Sequence, residues 1–97
     1  MSACAMLTYS NVSANAWNCI KGVAASHGVT VTSNKGCGSS SGFKVCWNYN
    51  PDTHVLQIQC TDSPFWAPCS TINNTINGAV EPCMSQQSLE MTALLEA

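Results

Sequence analysis

Phe43-Lys44-Val45-Cys46-Trp47-Asn48-Tyr49-Asn50-Pro51-Asp52-Thr53-His54-Val55-Leu56-Gln57-Ile58-Gln59-Cys60 holds two alternating runs of apolar and polar residues around a turn. Asn50-Pro51-Asp52-Thr53 suits a type I turn, because the proline ring pre-sets the backbone at the second position. Pairing Tyr49 with His54 places Trp47 opposite Leu56, Val45 opposite Ile58 and Phe43 opposite Cys60. One face then carries Phe43, Val45, Trp47, Tyr49, Leu56, Ile58 and Cys60, and the other Lys44, Cys46, Asn48, Val55, Gln57 and Gln59. That is the pattern of an antiparallel hairpin covered on one side only.

Outward from the hairpin, residues 10–26 read as a first helix. Ser10 or Ser13 can cap it, and Val12, Ala16, Cys19, Ile20, Val23 and Ala24 recur at three- and four-residue spacing. Gly28 is placed to end it. Val29–Thr32 alternates as a strand would, residues 33–42 read as turn and loop, and Ala5–Tyr9 is a further candidate strand. Pro64 and Pro68 make 62–68 a stiff loop. A second helix fits Cys69–Val80, with Cys69, Ile72, Ile76 and Ala79 as its apolar stripe. Asn73, Asn74 and Asn77 interrupt that stripe, and Gly78 and Pro82 are placed to end the helix. The expected organisation is one disulfide-linked α+β domain over 1–84, a small antiparallel sheet packed by two helices, followed by a short C-terminal helix or tail over 85–97. In that tail Leu89, Ala93 and Leu94 form a possible contact stripe.

The 97 residues include seven cysteines: Cys4, Cys19, Cys37, Cys46, Cys60, Cys69 and Cys83. None forms a Cys-x-x-Cys or adjacent pair, which suits a disulfide framework and does not suit a zinc site. A disulfide closing a loop of about 15 residues contributes roughly 3 kcal/mol, and a domain of this size has about 5–15 kcal/mol in all. Cross-links therefore matter here. In the hairpin register Cys60 faces inward and Cys46 outward, so these two do not pair. Cys19 is a candidate partner for Cys60, and Cys37 or Cys4 for Cys46. The expected state is three intramolecular bonds and one free thiol, leaving a monomer or a dimer bridged through the odd cysteine.

Lys21, Lys35 and Lys44 are the only cations besides two histidines, and the net charge is −2. Three scattered lysines supply no basic stripe, so nucleic acid is not an expected partner. No run approaches the roughly 20 apolar residues of a membrane span. Ser, Thr and Asn carry the solubility, a surface common in secreted proteins. The first residues lack a basic n-region, and the expectation is a secreted chain whose leader has been removed. Asn11-Val12-Ser13 and Asn73-Asn74-Thr75 are glycosylation sequons.

Catalytic patterns are weak. His27 ends a helix and His54 flanks a turn, no Gly-x-Ser-x-Gly elbow occurs, and five acids offer no evident pair. No metal site and no cofactor are expected. The candidate binding feature is Phe65 and Trp66 in the proline-stiffened loop, with Asp62 at its start.

The order helix, strand, hairpin, helix carries cysteines in the first helix, both hairpin strands and the second helix. Trp17-Asn18-Cys19, Phe43-Lys44-Val45-Cys46, Ile58-Gln59-Cys60, Cys69 and Cys83 carry the pattern. It resembles small secreted fungal proteins of the killer-toxin-like and extracellular effector families. The resemblance implies an antiparallel sheet packed by two helices and bridged by three or four disulfides; the closing strand of the effector family is not evident. Hydrophobins and plant lipid-transfer proteins have adjacent Cys-Cys pairs, which this chain lacks. The expected function is a secreted, non-catalytic binding protein of effector or toxin-like type, acting on a protein or cell-surface target. The alternatives are a hydrolase inhibitor presenting loop 62–68 and a carrier of a small apolar ligand, which needs a cavity.

Overall fold

The computed structural model describes residues 3–96, with side chains described through Ser85. In chain order it comprises β1 (Leu7–Tyr9), α1 (Ala14–Ser26), β2 (Lys35–Ser40), β3 (Phe43–Asn50), β4 (Val55–Asp62) and α2 (Cys69–Glu96). The strands form one antiparallel sheet in the order β1-β4-β3-β2. The fold class is α+β: two helices accompany the sheet, and three disulfides hold the domain together.

The central hairpin keeps the expected faces in a different register. Tyr49 pairs with Leu56, Trp47 with Ile58, and Val45 with Cys60. The turn slides one residue along the chain. Asn50 accepts through Oδ1 from the amides of Asp52 and Thr53, and the His54 amide donates to the Asn50 carbonyl at 2.8 Å. His54 itself adopts φ +58°, a conformation His tolerates better than most residues. A two-residue change of register preserves side-chain parity, so Trp47, Tyr49, Leu56, Ile58 and Cys60 are all buried. The new register gives Cys60 to Val45, so Phe43 loses its expected partner, and at the far end an irregularity between Lys44 and Val45 sets Lys44 opposite Asp62.

Helix α1 is capped by Ser13, whose Oγ accepts from the Ala16 amide at 3.1 Å. It ends in a Schellman turn: the Gly28 amide donates to the Ala25 carbonyl and the Val29 amide to Ala24. That turn, with the bend that follows it, explains why Val29–Thr32 is not a strand. The Val29 amide is spent on the helix end, and the indoles of Trp17 and Trp47 donate to Asn34 Oδ1 and the Ser33 carbonyl. The strand beside β3 is therefore the next segment, Lys35–Ser40, whose glycines and serines suggest turn and loop by composition. Its glycines suit it to that place: a Cβ on Gly38 would lie 2.9 Å from Val29 and 3.6 Å from the Trp47 ring. Ser41 and Gly42, at φ +53° and +88°, make the two-residue turn into β3, as a type I′ hairpin requires.

Helix α2 does not stop at Val80. It passes through Gly78 and Pro82 to Glu96. Pro82 lacks the amide that would bond the Gly78 carbonyl, but both residues are exposed, so water can take that carbonyl. Val80 and Cys83 meanwhile are buried on the inner side, which holds the helix across the gap. The expected stripe Leu89, Ala93, Leu94 lies outside the described side chains.

The asparagines of α2 tie it to the N-terminal segment. Tyr9 donates through its hydroxyl to Asn77 Oδ1, and Asn73 Nδ2 donates to the Ala5 carbonyl at 3.4 Å. The main core joins Val12, Ala16, Trp17 and Ile20 to Tyr49, Leu56, Val80 and Cys83, with Trp17 stacked on Tyr49 at 5.0 Å. The Tyr49 hydroxyl donates to the Val12 carbonyl at 2.7 Å.

The sulfur pairing differs from expectation at one point. Cys19 bonds Cys83, joining α1 to α2, rather than Cys60. Cys4 bonds Cys69, and Cys37 bonds Cys46 across β2 and β3. Cys60 is the free cysteine; it is fully buried and its Sγ donates to the Asp62 carbonyl at 3.2 Å. A dimer bridge through Cys60 would first require the core to open.

Candidate functional site

The inner sheet face is not covered along its whole length. Where α1 and α2 are joined by Cys19–Cys83, the space between helices and sheet is filled by Trp17, Tyr49, Leu56 and Val80. Toward the β2–β3 turn a groove of about 540 Å³ remains. Its floor is Val45, Trp47 and Ile58; Ile20 and Ala24 of α1 form one wall, and Ile72, Ile76 and Ala79 of α2 the other. Trp66, 65% exposed, stands at its mouth.

The groove has local causes. The Cys4–Cys69 bond fixes the start of α2 to the segment before β1, while Cys19–Cys83 fixes its middle to α1. With both points held, α2 is fixed at its start and its middle, and small residues at Ala24 and Ala79 leave space between the walls. Polar groups sit around its edge: Ser40, Ser41, Thr71, Thr75 and His27. Ser40 Oγ donates to the His27 carbonyl at 3.1 Å and Thr75 Oγ1 to Thr71 at 2.9 Å, so part of that polarity is already satisfied.

Among the described residues no Lys, Arg, Asp or Glu lines the groove. A charged ligand would lose its hydration there with no counter-charge, at a cost of several kcal/mol. The chemistry on offer is contact with apolar surface, plus hydroxyls and one imidazole at the rim. A volume of about 540 Å³ falls within the range of about 300–1,000 Å³ typical of small-molecule sites.

The three residues named as a binding feature are placed differently from one another. Phe65 is 84% exposed and does not line the groove. Trp66 does line it, and its ring meets Phe43 edge-to-face at 5.9 Å. Asp62 lies at the end of β4, opposite Lys44, with Oδ1 accepting from the Ser63 amide at 3.0 Å. The groove itself escaped sequence reasoning, because its walls are the same alternating apolar residues that build a core. No local signal marks it: Ala24 and Ala79, whose small side chains face each other across it, lie about 55 residues apart in the chain.

The histidines lie on different features: His27 is the C-cap of α1 and His54 is in the hairpin turn. Among the described residues no group of three or more His, Cys, Asp or Glu is placed to hold a metal ion, and no helix is long and apolar enough to cross a membrane. Asn73, in the second sequon, is engaged with Ala5 and its Oδ1 is buried, whereas Asn11 is exposed. No protein-family model, curated protein or solved structure matches the chain.

Proposed function

We propose that this chain is a secreted, non-catalytic binding protein that holds a small, uncharged, apolar molecule in the groove between α1, α2 and β3. The observation that carries the reading is a groove of about 540 Å³ with apolar floor and walls and, among the described residues, no Lys, Arg, Asp or Glu in its lining. An effector or toxin-like role is compatible with it, the bound molecule being what the protein carries or withholds. Secretion is supported by three disulfides in so short a chain, since such bonds persist in oxidising compartments.

Fluorescence titration with a neutral naphthylamine probe, which brightens in apolar surroundings, tests this directly. Saturable binding at one site is expected. Ala79→Phe and Ala24→Phe, each placing a ring in the groove from an opposite wall, should weaken it by at least about tenfold. A native protein without saturable binding, or filled variants that bind as well as the native chain, would remove the carrier reading.

A further inference from the structure

We propose that the turn Pro64-Phe65-Trp66-Ala67 docks the protein on a neutral, zwitterionic lipid surface, bringing the mouth of the groove against the phase that holds its ligand; this rests on the groove being a ligand site. The Ala67 amide donates to the Pro64 carbonyl at 3.1 Å, closing a tight turn with Phe65 and Trp66 at its two central positions. Both aromatics therefore project at the tip, 84% and 65% exposed. The turn is stiff before it meets anything. Pro64 and Pro68 bracket it, the Ile72 amide bonds the Pro68 carbonyl, and Cys69 immediately beyond is disulfide-bonded to Cys4. Little conformational freedom remains to be lost on contact.

The chemistry of the turn selects the occupant. From Ser63 to Asn77 the chain carries no ionisable side chain, and the nearest charges, Asp62 and Lys44, stand opposite each other at the base of the turn with opposite signs, so the tip offers no net charge to anionic headgroups. Exposed Phe and Trp without charge suit the interfacial layer of a bilayer, where an indole keeps its N–H wet while its ring is buried. Trp66 belongs to both features: it lines the groove and it stands on the exposed tip. Seating that tip in a lipid interface would place the groove's opening at the surface. A neutral apolar molecule could then pass from lipid to protein without crossing bulk water. A protein-binding turn would not require this continuity with an uncharged ligand groove.

Co-sedimentation with sucrose-loaded phosphatidylcholine vesicles tests the proposal. The native protein should sediment with them, and added salt should leave that unchanged, because no ion pair is involved. Phe65→Ser should reduce association by about tenfold, since interfacial binding follows buried apolar area, while leaving naphthylamine titration intact because Phe65 does not line the groove. Ala79→Phe should do the reverse, losing the probe and keeping the vesicles. Native protein remaining in the supernatant while still binding the probe would overturn docking and leave the groove standing. Vesicle binding with no probe binding would leave a lipid-binding turn without a carrier. Association confined to phosphatidylserine vesicles and abolished by salt overturns the proposal, as does Phe65→Ser sedimenting like the native chain. A Phe65-dependent dimer in analytical ultracentrifugation without vesicles would assign the turn to a second copy instead, and inhibition of a protease through it would assign it to a protein partner.

Discussion

The two ends of one sheet face are built from the same kinds of residue and come out differently. At the end nearer the β3–β4 turn, Tyr49 and Leu56 meet Val12, Trp17 and Val80, and Leu56 and Val12 are wholly buried. At the other end Cys60 is wholly buried in a second, smaller cluster with Cys4 and Ile72, while Phe43 and Val45 are only partly buried and line the open groove. Hydrophobic character does not distinguish them. The difference lies in where the helices are tied, because a cross-link that brings two walls together at one point can hold them apart at another. Packed density lies at the bridge that joins α1 to α2, whereas the Cys4–Cys69 bond fixes only the start of α2 and leaves apolar surface between the helices accessible.

The largest break in that comparison comes from the bridge itself. Cys19→Ser with Cys83→Ser opens a loop of sequence separation 64 and should cost about 4 kcal/mol in the chain-entropy picture. The Cys37→Ser, Cys46→Ser pair, with separation 9, should cost nearer 2.5 kcal/mol. Urea unfolding of both double variants measures the gap; equal losses would mean that the helix bridge is no more important than the strand bridge.

Next is the contrast between the two ends of the sheet. Leu56→Ala removes a fully buried side chain and should cost about 3 kcal/mol, whereas Val45→Ala beside the groove should cost about 1 kcal/mol, since water already reaches that region. Similar losses in thermal or urea unfolding would show that the groove is closed in solution.

A smaller effect is expected from Tyr49→Phe, which leaves the Val12 carbonyl without its donor and should cost about 1–2 kcal/mol. Burial raises the pKa of Tyr49 above the usual tyrosine value, and burial followed by the charge of Glu81 does the same for Tyr9. Each raised pKa contributes stability that is present below about pH 10 and lost as pH rises through the folded-state value. The denaturation midpoint should therefore fall on the alkaline side of pH 10, less steeply in Tyr49→Phe than in the native chain. A native midpoint that is flat there would contradict the burial of these phenols.

Ala79→Phe should change stability least, by under about 1 kcal/mol, because the added ring enters space that is already open rather than a packed interior. A loss of several kcal/mol in calorimetry would mean the walls close on each other in solution.

Much of this organisation was legible in the residues. Alternation from Phe43 to Cys60 determined which side chains turn inward, because side-chain parity survives any even change of register. Cys46 and Cys60 stay apart for the same reason, and Ser13, one of two candidate caps, and Gly28 bound α1 through short-range hydrogen bonds; the helix starts at Ala14 rather than at residue 10, which leaves Val12 ahead of it. Where the partner lay far along the chain, local reading failed. Gly78 and Pro82 are genuine helix breakers by local chemistry, yet buried Val80 and the Cys19–Cys83 bond carry α2 past them. The glycine-rich strand β2 resembles a loop until Trp47 lies against it.

The amino-acid order by itself thus determined the class of domain, the two faces of its hairpin and its need for cross-links, since each follows from near-neighbour chemistry and side-chain periodicity. The sulfur partners, the continuation of α2 and the open groove come from the folded arrangement. Those depend on distances between walls contributed by residues about 20–60 positions apart, and no local pattern encodes such a gap.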